Sequence, residues 1–353
     1  MIKAVRWVYA VMAFALIANV TTELSAQQAS TESDQKTNLI GAGAGFPTVL
    51  YEDAISLFMK DHQDVVVTYV PAGTAQGVFA FMNRTADYAI AGAPLDQIEG
   101  QDLRESFLAL PITSGMIGVF YNLDGIKNLR LSRQALSGIF DGSITNWNDP
   151  QIASSNDGVT LPDLPIKIIA PNLGSGATYT LTNHLKEISK VWAEVGPAME
   201  VAGIFPDGTK FAKSNEELVE LVKATPGTIG YASYAFGVGG KLQMASLENK
   251  AGQFVAPSMQ SGELAVQEAA LKGTDDLMVF VPDPEGTNAY PIVSFYWMLI
   301  DKSYKDTAKS DAIKELADFL LSGRVRATAV RLGYVPMPDA IRHEAKRLVK
   351  TVK

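Results

Sequence analysis

The chain has 353 residues, of which 47% are hydrophobic and 19% are charged, so it can bury a substantial core and does not have a disordered composition. Thirty basic and 38 acidic residues give a net charge of −8, which argues against nucleic acid as a partner. The sequence contains no cysteine, which excludes disulfides, thiolate nucleophiles and cysteine-bound metals.

Residues 1–26 have the pattern of an export signal. Lys3 and Arg6 precede an uninterrupted apolar run over 7–18, which is too short to cross a bilayer. Residues 27–37 are polar and lack apolar periodicity, so they are predicted to be a flexible lead-in. We therefore expect a periplasmic or secreted protein without a membrane anchor.

From about residue 38 onward, short β-branched runs alternate with helical patterns. Apolar residues at three- and four-residue spacing predict amphipathic helices. The runs predicted to be strands are 65–70, 116–122, 165–170, 227–232 and 293–300. This alternation indicates an α/β fold, and the length predicts two lobes at roughly 150 residues per domain.

Three glycine-rich segments follow predicted strands and open predicted helices. They are residues 41–47, 71–77 and 174–178. Such a junction leaves backbone N–H groups unpaired at a helix start, where an anion or a polar ligand can bind. In the second junction, Thr74 is placed as the predicted N-cap. We expect Gly45, Thr74 and Ser175 to face one cleft.

Familiar enzyme motifs are absent from these segments. Residues 41–45 lack the third glycine of a dinucleotide fingerprint, and no Gly-Lys-Ser/Thr is present for a phosphate-binding loop. Ser175 has Leu173 two residues before it, where a hydrolase elbow requires glycine. His62, His184 and His343 are far apart in sequence, without ligand-spaced neighbours. We therefore expect no enzyme, no cofactor and no metal.

Several longer segments occur in an order that is shared with a known family. They include IFDGSITNWNDPQI at 139–152, GSGATYTLTNHL at 174–185 and LGYVPMP at 332–338. In these segments the chain resembles the substrate-binding proteins of phosphate ABC transporters. The resemblance implies a two-lobed type II periplasmic-binding-protein fold with two interlobe crossovers and a ligand clamped in the cleft. It also makes an ABC permease a candidate partner.

The resemblance implies boundaries for the two lobes. Lobe one would comprise residues 38–111 and 291–353, and lobe two would comprise residues 112–290. The crossovers would fall at Pro111–Ile112 and Pro291–Ile292.

The resemblance also implies ligand-binding positions, which we carry over motif by motif. A family threonine before Phe46 is glycine here, a family serine is threonine, and the last family threonine of the third junction is alanine. The implied ligand-binding residues are Gly45, Phe46, Thr74, Gly92, Ser175, Gly176 and Ala177.

Two charged groups of the family site are missing. The aspartate that accepts the phosphate proton corresponds to Gly92, and the family arginine corresponds to Pro171. A buried proton without an acceptor costs about 1–3 kcal/mol, and loss of the charge-assisted arginine contact costs about as much again. We therefore expect a neutral, donor-rich cleft that discriminates poorly between phosphate and sulfate. Restoring both charges, with Gly92→Asp and Pro171→Arg, is expected to restore phosphate preference.

Two functions remain open on this basis. The chain could be an exported solute-binding protein that binds phosphate weakly, or binds another small anion or polar solute. Alternatively, it could be a non-transport recognition, adhesion or structural protein that uses the same fold outside the cell. A nearby gene for a permease would favour the first.

Overall fold

The structure, a computed structural model, describes residues 36–93, 106–172, 175–199, 203–271, 277–278 and 282–353. The predicted export signal and nearly all of the predicted lead-in lie outside these ranges. Within them, no helix combines the length and the apolar character that crossing a membrane requires.

The described strands are short, apart from two long central ones. They are β1 (Thr37–Gly43), β2 (Val65–Val70), β3 (Tyr88–Ala91), β4 (Phe107–Tyr121), β5 (Arg130–Leu131), β6 (Lys167–Pro171), β7 (Lys210–Ala212), β8 (Thr228–Ser233), β9 (Gln243–Met244), β10 (Ser246–Glu248), β11 (Phe254–Val255) and β12 (Val293–Asp301). These elements confirm the predicted α/β class, and β2 has the predicted bounds.

The described helices cover the sheet and connect its parallel strands. They are α1 (Thr48–Asp61), α2 (Thr74–Met82), α3 (Arg133–Asp141), α4 (Pro150–Ala153), α5 (Gly176–Ile188), α6 (Lys190–Val195), α7 (Asn215–Ala224), α8 (Tyr234–Gly240), α9 (Met259–Leu271), α10 (Thr307–Leu320), α11 (Gly323–Arg331) and α12 (Asp339–Val349). Nine consecutive buried residues in β12 show that the sheet is covered on both faces, which explains its continuous apolar sequence.

The main sheet has the strand order β2-β1-β3-β12-β4-β8-β6-β7, and β9 also pairs with β4. Strand β4 changes partner along its length: residues 107–116 pair with β12, and residues 117–121 pair with β8. We call the strands on the β12 side the first half of the sheet and those on the β8 side the second half. The Ile117 N–H donates to the Ile292 carbonyl at 3.0 Å, so the two connections between the halves lie side by side.

The N-terminus of α2 differs from the sequence prediction. Gly73, with a φ of 101°, is the N-cap, and Thr74 is the first helical residue, so the prediction that Thr74 caps the helix is wrong. The physical reason is that the positive φ falls on glycine, while Thr74 Oγ1 accepts from the Gly92 N–H at 3.1 Å and does not cap the helix. A Cβ on Gly77 in this helix would meet the Cα of Gly43 at 2.2 Å. Helix α2 therefore packs directly on the backbone at the end of β1, and Thr74 is completely buried there.

Candidate functional site

A cavity of about 130 Å³ lies between the two halves of the sheet. Its walls come from the segments that follow the carboxyl ends of β1, β2, β6 and β7, together with Tyr296 of β12. In open α/β sheets, ligands bind outside the carboxyl ends of the strands. The volume is roughly ten times what one water molecule requires, so the cavity can hold a small solute.

The predicted site residues converge on this cavity, with one exception. Gly92 lies behind the wall, where its N–H donates to Thr74 Oγ1 at 3.1 Å. It therefore positions the threonine hydroxyl and is not part of the lining. The predicted residues that line the cavity are Gly45, Phe46, Thr74, Ser175, Gly176 and Ala177.

The backbone after β1 is oriented by three side chains. The carbonyls of residues 44–46 accept, in order, from the Tyr69 hydroxyl at 2.7 Å, the Asn215 amide at 3.1 Å and the Tyr334 hydroxyl at 2.9 Å. The N–H groups of Gly45 and Phe46 have no partner in the described parts of the chain. Both N–H groups are therefore available to a ligand, and the hydrogen bonds to the carbonyls hold the loop in place.

Helix α5 supplies a second set of donors. Ser175 is its N-cap, and the serine Oγ accepts from the Thr178 N–H at 3.3 Å. The N–H groups of Gly176 and Ala177, in the first turn, have no partner within the described ranges. The positive end of the helix dipole adds to these donors, so this side of the cavity favours negative charge.

The start of α5 lies close to Thr74 and Gly92, which belong to the other half of the sheet. A Cβ on Gly176 would lie 2.9 Å from Thr74 Oγ1 and 3.0 Å from Gly92 Cα. Only glycine permits this approach without displacing atoms, because those distances are shorter than van der Waals contact. The hydroxyl that sequence analysis predicted on one lobe and the helix start predicted on the other therefore meet at one cavity.

The segment after β7 brings charged side chains to the cavity. Lys213 and Glu216 both line it from exposed positions, so the expectation of a cleft without charged groups is wrong. Sequence analysis did not single out this junction because it contains no glycine. A capping box could have identified it: Ser214 Oγ accepts from the Glu217 N–H, and Glu217 Oε2 accepts from the Lys213 N–H.

Tyr296 is the other lining residue that sequence analysis missed. It lies in a strand whose apolar sequence indicates only core packing, but its ring stacks on Phe46 at a centroid distance of 4.1 Å. Its hydroxyl is buried and has no hydrogen-bond partner among the described residues. Burial raises the pKa of the Tyr296 hydroxyl well above its ordinary value, and the nearby Tyr334 makes a smaller contribution in the same direction. The hydroxyl therefore stays protonated.

The ring of Tyr296 occupies the space into which a side chain at Gly92 would extend. A Cβ there would lie 2.3 Å from the ring carbon Cε1. An aspartate at this position requires the Tyr296 ring to move, so the expectation that Gly92→Asp with Pro171→Arg restores a family-like site stays a prediction that depends on this movement.

The sequence also matches a known family and its members. The profile of the PBP superfamily domain matches residues 26–324. The phosphate-binding protein PstS of Pasteurella multocida is 33% identical over 322 residues, which cover 90% of this chain and 91% of that protein. PstS of Xylella fastidiosa strain Temecula1 is 32% identical over 329 residues, covering 91% and 86% respectively.

Solved structures share the two-lobed fold. A high-affinity periplasmic phosphate-binding protein bound with phosphate superposes with a TM-score of 0.68 at 19% identity, covering 88% of this chain and 93% of that one. A phosphate-binding protein from Stenotrophomonas maltophilia gives a TM-score of 0.67 at 18% identity, covering 88% and 94%. The comparisons do not favour the alternative of a non-transport protein. The chain is a solute-binding protein that belongs to the PBP superfamily and, within it, to the PstS family of phosphate-binding proteins.

Proposed function

We propose that this protein is exported, loses residues 1–26, binds a small oxyanion of the phosphate class in the cavity, and delivers it to an ABC permease. The role in transport is supported by the relatives named PstS. The export step is supported by the positively charged start and apolar run of the sequence. The protein acts by binding and releasing its ligand, without catalysis.

One observation carries the proposal: unpaired donors from both halves of the sheet converge on one cavity. They comprise the N–H groups of Gly45, Phe46, Gly176 and Ala177 and the hydroxyl of Ser175. An oxyanion offers several acceptor oxygens in a small volume and therefore complements such a set. Because the two charged family contacts considered above are both absent, we expect modest affinity for phosphate.

We also propose that the halves of the sheet correspond to the two lobes inferred from the sequence. Residues 38–111 and 291–353 would form one lobe, and residues 112–290 the other. The partner change in β4, between residues 116 and 117, supports a first crossover slightly later than Pro111–Ile112. In the structure Gly176 already lies against Thr74, so the halves are together. Opening about these adjacent connections would admit the ligand, and closure would enclose it.

A pair of glycine substitutions tests the proposal. Gly176→Ala places a methyl group between the halves, whereas Gly323→Ala changes the same first position of α11, where nothing lies within 4 Å. By calorimetric titration of the full mature chain with phosphate and with sulfate, Gly176→Ala should bind at least about tenfold more weakly than wild type. Gly323→Ala should bind normally. Wild-type protein that binds neither anion, or Gly176→Ala that binds normally, would contradict the proposal.

A further inference from the structure

The buried hydroxyl of Tyr296 is an unexplained feature of the cavity wall. Its side chain is 0% exposed, and its oxygen has no partner in the described structure. Buried side-chain polar atoms without a partner are uncommon in folded proteins. Because Tyr296 lines the cavity, a ligand oxygen there would provide the missing hydrogen bond.

Two other hydroxyls of the wall, those of Thr74 and Ser175, are arranged to donate. Thr74 Oγ1 already accepts from a backbone N–H at 3.1 Å, and Ser175 Oγ accepts from another at 3.3 Å. Their hydrogens therefore remain for the ligand, as does that of Tyr296. Together with the backbone N–H groups of Gly45, Phe46, Gly176 and Ala177, these hydroxyls give the wall several donors for an anion.

An acceptor for a ligand proton is scarce in the same wall. The position from which the family aspartate extends is closed by the Tyr296 ring, 2.3 Å from a Cβ on Gly92. Glu216 is the one acidic side chain among the described lining residues, and it is exposed at the rim. Phosphate at neutral pH retains at least one proton that needs an acceptor, whereas sulfate has none and accepts at every oxygen.

We propose that Tyr296 is a specificity-determining residue, whose hydroxyl donates to the bound anion and whose ring excludes a proton-accepting carboxylate. The cleft is thereby selective for fully ionised tetrahedral oxyanions of the sulfate class. This inference rests on the proposed function, because it assumes that an oxyanion binds in the cavity. Relative to the family site, the preference changes from a protonated to a fully ionised oxyanion, because the Tyr296 hydroxyl, a donor, takes the place of the family carboxylate, an acceptor.

The test is a calorimetric titration of the full mature chain with sodium sulfate and, separately, with inorganic phosphate. Wild-type protein should bind sulfate at least as tightly as phosphate. Tyr296→Phe keeps the ring and its stacking but removes the hydroxyl, so sulfate binding should weaken about tenfold to hundredfold, as expected for a hydrogen bond to a charged group. Thermal unfolding should confirm that the variant is folded.

Tyr51→Phe is the matched control. The Tyr51 hydroxyl is also buried and has no partner among the described residues, but Tyr51 does not line the cavity, so its loss should leave binding unchanged. Glu216→Gln tests the alternative acceptor and should leave the ratio of sulfate to phosphate affinity unchanged.

The outcomes separate this inference from the proposed function. Wild-type protein that binds neither anion would overturn both. An anion-binding wild type would overturn only the inference if it prefers phosphate by more than about tenfold, a difference of about 1.4 kcal/mol. Normal sulfate binding by Tyr296→Phe, or a Glu216→Gln variant that selectively loses phosphate, would also overturn it.

Discussion

Gly92 and Tyr296 are in such close contact that the size of one residue limits the other. Gly92→Asp would place its Cβ 2.3 Å from the Tyr296 ring. We expect this variant to lose about 1–3 kcal/mol of unfolding free energy, the usual cost of overpacking a buried site. Urea denaturation, monitored by circular dichroism, measures the loss.

A double-mutant cycle isolates the contact between these two residues. Tyr296→Ser removes the ring, so Gly92→Asp should cost much less in the presence of Tyr296→Ser than alone. The double variant should also shift binding from sulfate towards phosphate, because a carboxylate can then accept the phosphate proton. Additive costs of the two substitutions would contradict the proposed steric contact.

His184 makes the stability of the protein depend on pH. Burial lowers the pKa of the His184 imidazole from its ordinary value of about 6.5, although Asp283, at 3.7 Å, opposes the shift. Arg133 also lowers this pKa, and Glu187 raises it. The folded state therefore excludes a proton that the unfolded chain binds, so stability decreases as the pH falls below about 6.5.

We expect the unfolding free energy of wild-type protein to fall by up to about 1.4 kcal/mol per pH unit in this acidic range. His184→Asn should reduce the slope. Urea denaturation at a series of pH values measures it. Equal slopes for wild type and His184→Asn would contradict the assignment.

At the scale of elements, the loop after β1 depends on side chains from distant parts of the chain. Tyr334→Phe removes the donor to the Phe46 carbonyl, which would remain buried and unpaired. We expect a loss of about 1–3 kcal/mol in unfolding free energy, together with weaker anion binding. Tyr51→Phe removes a hydroxyl that has no partner among the described residues and is the control. Equal stability of the Tyr334→Phe and Tyr51→Phe variants would show that this hydrogen bond contributes nothing.

The sequence was sufficient to predict the glycine-rich junctions because their signals are local. Gly176 permits the close approach of Thr74, and Ser175 caps α5, and both properties follow from residue type and order. The roles of Lys213 and Tyr296 could not be predicted in the same way. They depend on which segments meet across the cavity, and a tyrosine in an apolar strand has the pattern of a core residue.

The family charges give a second example of this limit. Comparison of motifs assigned Gly92 to the position of the family aspartate. It could not indicate that the Tyr296 ring, more than 200 residues later in the chain, occupies the space beside this position. Substitution of the missing charges alone therefore leaves the Tyr296 ring in the path of the aspartate.

For the whole molecule, the α/β class and the two-lobed fold follow from strand and helix periodicity and from the family motifs. The strand order does not, because the sharing of β4 between the two halves depends on long-range pairing. A strand of fifteen residues has one local pattern throughout, and nothing in that pattern marks where its partner changes.

We expect ligand binding to hold the two halves of the molecule in a closed arrangement. In solution scattering, the radius of gyration of wild-type protein should decrease when a bound oxyanion holds the halves together. Gly176→Ala should show a smaller decrease at saturating anion, because its methyl group meets Thr74 Oγ1. Gly323→Ala should behave like wild type. An unchanged radius in wild type at saturation would contradict closure.

The central claim is that backbone donors from both halves of the sheet hold the anion, and amide chemical shifts measure this most directly. In ¹⁵N-labelled protein, saturating sulfate or phosphate should shift the amide proton signals of four residues downfield, as expected for N–H groups that gain a charged acceptor. Those residues are Gly45, Phe46, Gly176 and Ala177. Larger changes in chemical shift at these four amides than at other amides would support the claim. Anion binding that leaves their chemical shifts unchanged would contradict it.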